Sequence, residues 1–149
     1  MFTIKNIANQ DVIIRGFDII NRRRNTTVIT IYTQDGTLEE LGDDALTMEG
    51  WNMIYQSQKM GDPMTLMPLD DFTAEVSIGV GQAKSFYVHS LNGLMYRKND
   101  DTSDRMVSEI TEHDGAIAIL EGRVLRGLFR SYIGTGKFGG VVRYYTSQN

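Results

Sequence analysis

Apolar and polar residues alternate in short runs of about five to nine that recur from Phe2 to Tyr145, separated by turn-forming residues. Successive side chains on a strand point to opposite faces, so a period of two buries one face and leaves the other to solvent. A helix would need apolar residues every three to four positions, and no long stretch of this chain keeps that spacing. The pattern therefore predicts an all-β fold.

Phe2 to Ile7 ends at Asn9-Gln10-Asp11, and Val12 to Ile20 follows as a long strand with Gly16 as a bulge candidate. The spacing predicts that these two pair. Asn21 to Asn25 makes a charged hairpin tip, and Thr26 to Thr33 has the β-branched density of a strand. Thr37 to Gly50 is read as an acidic surface loop with one helical turn at most, after which Trp51 to Tyr55 alternates again, with Trp51 in or near the core. Pro68 puts Met64 to Asp71 on an edge, since proline cannot donate to a central ladder. Thr73 to Ile78 and Ala83 to His89 are strands flanking a Gly79–Gln82 turn. Asn92-Gly93 predicts a tight hairpin into Leu94 to Arg97. Short strands follow near Met106 to Ile110 and at Ala116 to Leu120, and Phe138 to Tyr145 closes the chain. Roughly eight to ten strands with short connections imply a mostly antiparallel two-sheet sandwich, jelly-roll-like.

At 149 residues the chain suits one domain spanning 1–149, large enough for a two-layer core, whether it stands alone or is one unit of a longer repeat protein. Cysteine is absent, which removes disulfides, thiolate nucleophiles and sulfur-ligated metals. A formal charge of −4 gives no electrostatic reason to bind phosphate backbones, so no nucleic-acid partner is expected. No stretch approaches the roughly 20 apolar residues that span a bilayer, so no membrane insertion is expected.

The order of motifs resembles that of secreted, often tandemly repeated β-sandwich modules of marine bacteria and algae. The matching pieces are MFTIKNI at the start, Phe17 to Ile19, VITIYTQDG, Trp51, PLDDF from Pro68, VSIGVGQAKSFYV from Val76, LMYR from Leu94, AIAILEG, and GTGKFGGVVRYY at the end. The resemblance implies a jelly-roll-like sandwich outside the cell, among sibling domains, with no catalytic residues to carry over. The modules' last strand commonly opens on Trp; Phe138 stands there in this chain, which implies different packing of that strand.

No catalytic constellation is found. Gly134-Thr135-Gly136-Lys137-Phe138-Gly139 spells the string of a dinucleotide-binding turn, but β-rich sequence follows it in place of a helix, so it is read as a turn or bulge. His89 and His113 are the only histidines, and His113-Asp114 adjacency does not orient a base against a serine. Asn99, Asp100, Asp101 and Asp104 gather oxygens suited to Ca²⁺, though without EF-hand spacing; otherwise no cofactor is expected. A second acidic group, Glu39, Glu40, Asp43 and Asp44, is a weaker candidate. Asn25-Thr26-Thr27 is a glycosylation sequon at an exposed tip, beside Arg22-Arg23-Arg24.

The expected function is a non-enzymatic structural or interaction module. It assembles with copies of itself or with sibling domains into an extracellular filament or surface layer. Phe2 and Ile4 on the first strand and Phe138, Val142 and Tyr144 on the last are the candidates for edge pairing. The alternatives are a carbohydrate-binding module that stacks glycans on Tyr or Trp, and a viral capsid or tail jelly roll.

Overall fold

A computed structural model describes residues 1–94, 96–98, 110–130 and 132–147. Thirteen strands are present among them: β1 (Phe2–Asn6), β2 (Val12–Ile19), β3 (Thr26–Asp35), β4 (Asn52–Met60), β5 (Met67–Leu69), β6 (Val76–Ile78), β7 (Ala83–Ser90), β8 (Tyr96–Lys98), β9 (Ile110–His113), β10 (Ile117–Leu120), β11 (Gly122–Leu125), β12 (Tyr132–Phe138) and β13 (Val141–Thr146). Their pairings are antiparallel, and the fold is the all-β sandwich that the alternation predicts. A six-stranded sheet runs β4-β3-β7-β1-β10-β9. A four-stranded sheet has β2 at its centre, with β13 on one side and β5 and β6 sharing the other. A third sheet runs β11-β12-β8; β8 falls on the strand expected at Leu94 to Arg97, while β11 and most of β12 are strands that the alternation does not predict.

Local chemistry accounts for the elements that sequence predicts best. On β2 the buried positions run Val12, Ile14, then Phe17, Ile19. That slip of one residue is a bulge: Gly16 faces Arg143 and Ile14 faces Tyr144, leaving Arg15 as the extra residue. Gly16 is needed there because a Cβ would collide with the carbonyl oxygen of Leu69 on β5. The acidic segment holds more helix than expected. A single α-turn, α1 (Leu38–Leu41), is started by Thr37, whose side chain accepts from the Glu40 amide while Glu40 accepts from the Thr37 amide. A 3-10 turn over Gly42–Leu46 continues it.

Two pairings differ from expectation. β1 does not pair with β2; it lies between β7 and β10 inside the six-stranded sheet, so the expected hairpin of the first two strands is replaced by a crossing from one sheet to the other. Asn6 fixes that crossing by donating to the carbonyls of Gln10 and Ile78. Asn92-Gly93 does turn the chain, with the Gly93 amide donating to Ser90, but Leu94 bridges to Asn21 and β8 pairs with β12, so no β7–β8 hairpin forms. Gly134 and Gly136 lie within β12, against β11, at the bulge the sequence allows there: Val124 faces Gly134 and Leu125 faces Tyr132, leaving Ile133 as the extra residue, and Gly134 has φ 151°. The strand expected from Thr73 begins only at Val76, and that expected near Met106 lies outside the described residues except for Ile110, which opens β9.

Four phenylalanines join the sheets. Phe2 and Phe86 come from the six-stranded sheet, Phe17 from the four-stranded and Phe138 from the three-stranded. Phe2 stacks on Phe138 at 4.1 Å, and Phe17 meets Phe86 edge-on at 5.1 Å. Val12, Ile14, Ile29, Ile31, Leu69 and Ile78 fill the space around them. A smaller cluster covers the other face of the six-stranded sheet: Tyr32, Tyr87 and Trp51 lie beneath Leu38 and Ala45, with Phe129 against them. Phe17→Ala is expected to lower unfolding free energy by about 3–5 kcal/mol, because its ring is fully buried where the sheets meet. Urea denaturation followed by fluorescence measures this; a loss below about 1 kcal/mol would contradict the joining role.

Candidate functional site

The C-terminal end of β7, the β11 strand, the loop after it and β12 enclose a cleft of about 800 Å³. Its walls are apolar in part, with Phe2, Leu94, Leu125 and Phe138 facing it. Its charged groups are Arg22, Arg123, Arg126, Arg130 and Lys137. Among the described residues lining it, none is acidic, and none of the five cations has a carboxylate partner. Arg123 is held in place by donating to the Gly42 carbonyl at 2.6 Å. The loop is fixed by the Tyr87 hydroxyl, which donates to the Gly127 carbonyl at 2.8 Å; burial first of all pushes that phenol up to about 12. Phe129 adopts φ 46°, uncommon for a side chain of its size, and is held there by ring contacts with Tyr32 and Tyr87.

His89 lines the same cleft near the end of β7, half-buried, 6.0 Å from the Tyr87 ring. Burial lowers its pKa. The other histidine, His113, is exposed, and its neighbour Asp114 serves the turn into β10: one carboxylate oxygen accepts from the amides of Ala116 and Ile117, and the other accepts from the Tyr144 hydroxyl at 2.5 Å. Burial, then the Asp114 hydrogen bond and charge, raise Tyr144 to about 12. Asp114 is thus committed to structure rather than to orienting a catalytic imidazole.

The residues singled out in sequence fall in different places. Asn99, Asp100, Asp101 and Asp104 lie outside the described residues. Glu39, Glu40, Asp43 and Asp44 do not converge, and among the described residues no three His, Asp or Glu side chains do. Asn25 is exposed at the β2–β3 tip, where its carbonyl accepts from the Gly61 amide, and Arg24 pairs with Asp62 at 2.9 Å. Phe2 and Ile4 are core residues of an interior strand, so the open edge expected at β1 is corrected: both its sides are already paired. Phe138 is half-buried against Phe2, while Val142 and Tyr144 lie on β13, which among the described residues pairs only with β2. Tyr32, Tyr55 and Tyr87 are buried, so among the described tyrosine side chains Tyr145 alone is exposed, and Arg15 sits over its ring at 4.8 Å.

The cleft's charge was not read from the sequence, although a signal was present: residues 122–149 carry five basic side chains and no acidic one in a chain of net charge −4. In comparisons with known proteins, no family model, curated protein or solved structure matches this chain.

Because the fold favours neutral His89, the unfolded chain binds a proton at higher pH than the folded one does. The corresponding stability is present above the ordinary histidine value of about 6.5 and is lost as pH falls below it. Urea midpoints measured between about pH 7.5 and 5.5 should therefore fall more steeply for the natural chain than for His89→Gln. Parallel pH profiles would show that His89 is not the group responsible.

Proposed function

We propose that this chain is a non-enzymatic structural module, placed outside the cell, that assembles with copies of itself or with sibling domains. The observation carrying this reading is the open edge of β13. Among the described residues it pairs on one side only, with β2, and it exposes Val141 (44%) and Tyr145 (39%). Such an edge presents unpaired N–H and C=O groups to any strand that approaches.

A second edge supports a directional assembly. β4, nine residues long with Lys59 as its sole charged side chain, ends the six-stranded sheet. It lies beside the four-stranded sheet's β5–β6 flank, where Tyr55 meets Phe72 and the Thr73 amide donates to the Ile54 carbonyl. β13 lies on the other flank, beside the β9–β10 turn, through Tyr144 and Asp114. Edges on opposite flanks suit head-to-tail contacts, which form open polymers when they do not close into a ring. Among the five described tyrosine side chains three are buried and one is exposed, which leaves few platforms for sugar stacking there and favours this reading over a carbohydrate-binding one.

Val141→Lys places a charge on the β13 edge without touching the core. The variant is expected to keep its far-ultraviolet circular dichroism and to lose higher-order species in sedimentation velocity. Folded variant protein that assembles as the natural chain does would count against the β13 edge.

A further inference from the structure

The charge of this chain is segregated. Residues 25–58 hold six acidic side chains and no basic one, while residues 122–149 hold the reverse, five basic and no acidic. The fold sets the two regions side by side. Arg123 on β11 donates to the Gly42 carbonyl of the helical segment, and Leu38 and Ala45 of that segment share a buried cluster with Leu125 and Phe129 of the cationic loop. The cationic cleft and the acidic turns are therefore neighbours on the molecule.

Within these sets Asp35 pairs with Lys84, and Arg143 with Asp18 and Asp70; among the described residues the charges next to the cleft are not spent in this way. Glu39, Asp43, Asp44 and Glu49 are exposed, and among the described residues no cation pairs with them. Glu40 is engaged in capping α1. The five cations of the cleft likewise have no carboxylate partner among the described residues. Two adjacent patches of opposite sign are self-complementary under a two-fold axis: the acidic turns of each copy face the cleft of the other, and both contacts form at once.

We propose that the cleft receives the acidic segment of a second copy, residues 39–49, in a salt-sensitive symmetric dimer. This deepens the assembly reading and rests on it, but it uses a face other than the β13 edge. The cleft's volume of about 800 Å³ accepts a turn of chain, and its apolar walls give Met48, exposed on the same segment, a place to pack. An acidic oligosaccharide would meet the same cations, but the matching acidic segment is already present in the chain itself.

A charge-swap experiment tests this, run in the Val141→Lys background so that edge pairing does not hide the result. Arg126→Glu/Arg130→Glu and Glu39→Lys/Asp43→Lys are prepared separately, checked for folding by circular dichroism, and studied by sedimentation velocity alone and mixed. The parent should dimerise at low salt and dissociate at about 1 M NaCl, where the Debye length is about 3 Å. Each double variant alone should bind itself at least about tenfold more weakly, and the equimolar mixture should recover a heterodimer. Folded variants that fail to associate when mixed would overturn the proposal, as would dimers indifferent to both salt and charge reversal. A parent that stays monomeric while a polyuronate or a sulfated dextran binds the cleft would replace the second copy by an acidic glycan and overturn it too. If the natural chain also stays monomeric without the Val141 change, the assembly reading fails with it; if that chain still assembles, only this face is excluded.

Discussion

The contact of Phe2, Phe17, Phe86 and Phe138 is the constraint on which the remaining structure depends. Each sheet contributes to it, and the sheets meet through it: β1 and β7 from the six-stranded sheet, β2 from the four-stranded, β12 from the three-stranded. Edge-on and stacked rings add geometric preference to the area they bury, so the cluster sets the relative placement of the sheets as well as contributing stability. Phe138 is the decisive member for the site. Its ring stacks on Phe2 and thereby draws β12, with Gly136 and Lys137, against the end of β1, where the cleft opens.

The outer face of the six-stranded sheet obeys a second constraint. Tyr32, Tyr87 and Trp51 would be exposed without the helical segment and the Gly127–Phe129 loop that cover them. Both covering pieces are short and held by few hydrogen bonds: Leu38 donates to Thr3, Arg123 to Gly42, and Tyr87 to Gly127. Those bonds place the acidic turns and the cationic loop next to one another. Charge placement here follows from covering a hydrophobic face.

Legibility in the sequence followed the range of the interaction. β2, β3 and β7 were readable because β-branched density and alternation are local properties, and the Gly16 bulge was readable because a glycine interrupts the alternation at that point. The partners of β1 were not, since its register against Phe86 and Leu120 is fixed by residues more than eighty positions away. Asn92-Gly93 correctly marked a turn, but a turn signal does not say which strand follows in which sheet; Leu94 is drawn to Asn21 instead. The glycine-rich stretch at 134–139 lacks strand propensity and becomes strand by pairing with β11. The cleft is the least legible feature, because Arg22 joins Arg123, Arg126, Arg130 and Lys137 only through the fold.

Self-assembly is the central functional claim, and imaging tests it most directly. Negative-stain electron microscopy of the purified chain over a range of protein concentrations should show ordered polymers or beaded arrays with a repeat near the length of one domain. Dispersed single particles at every concentration, from protein shown to be folded, would contradict the account and return attention to the cleft as a site for a separate ligand.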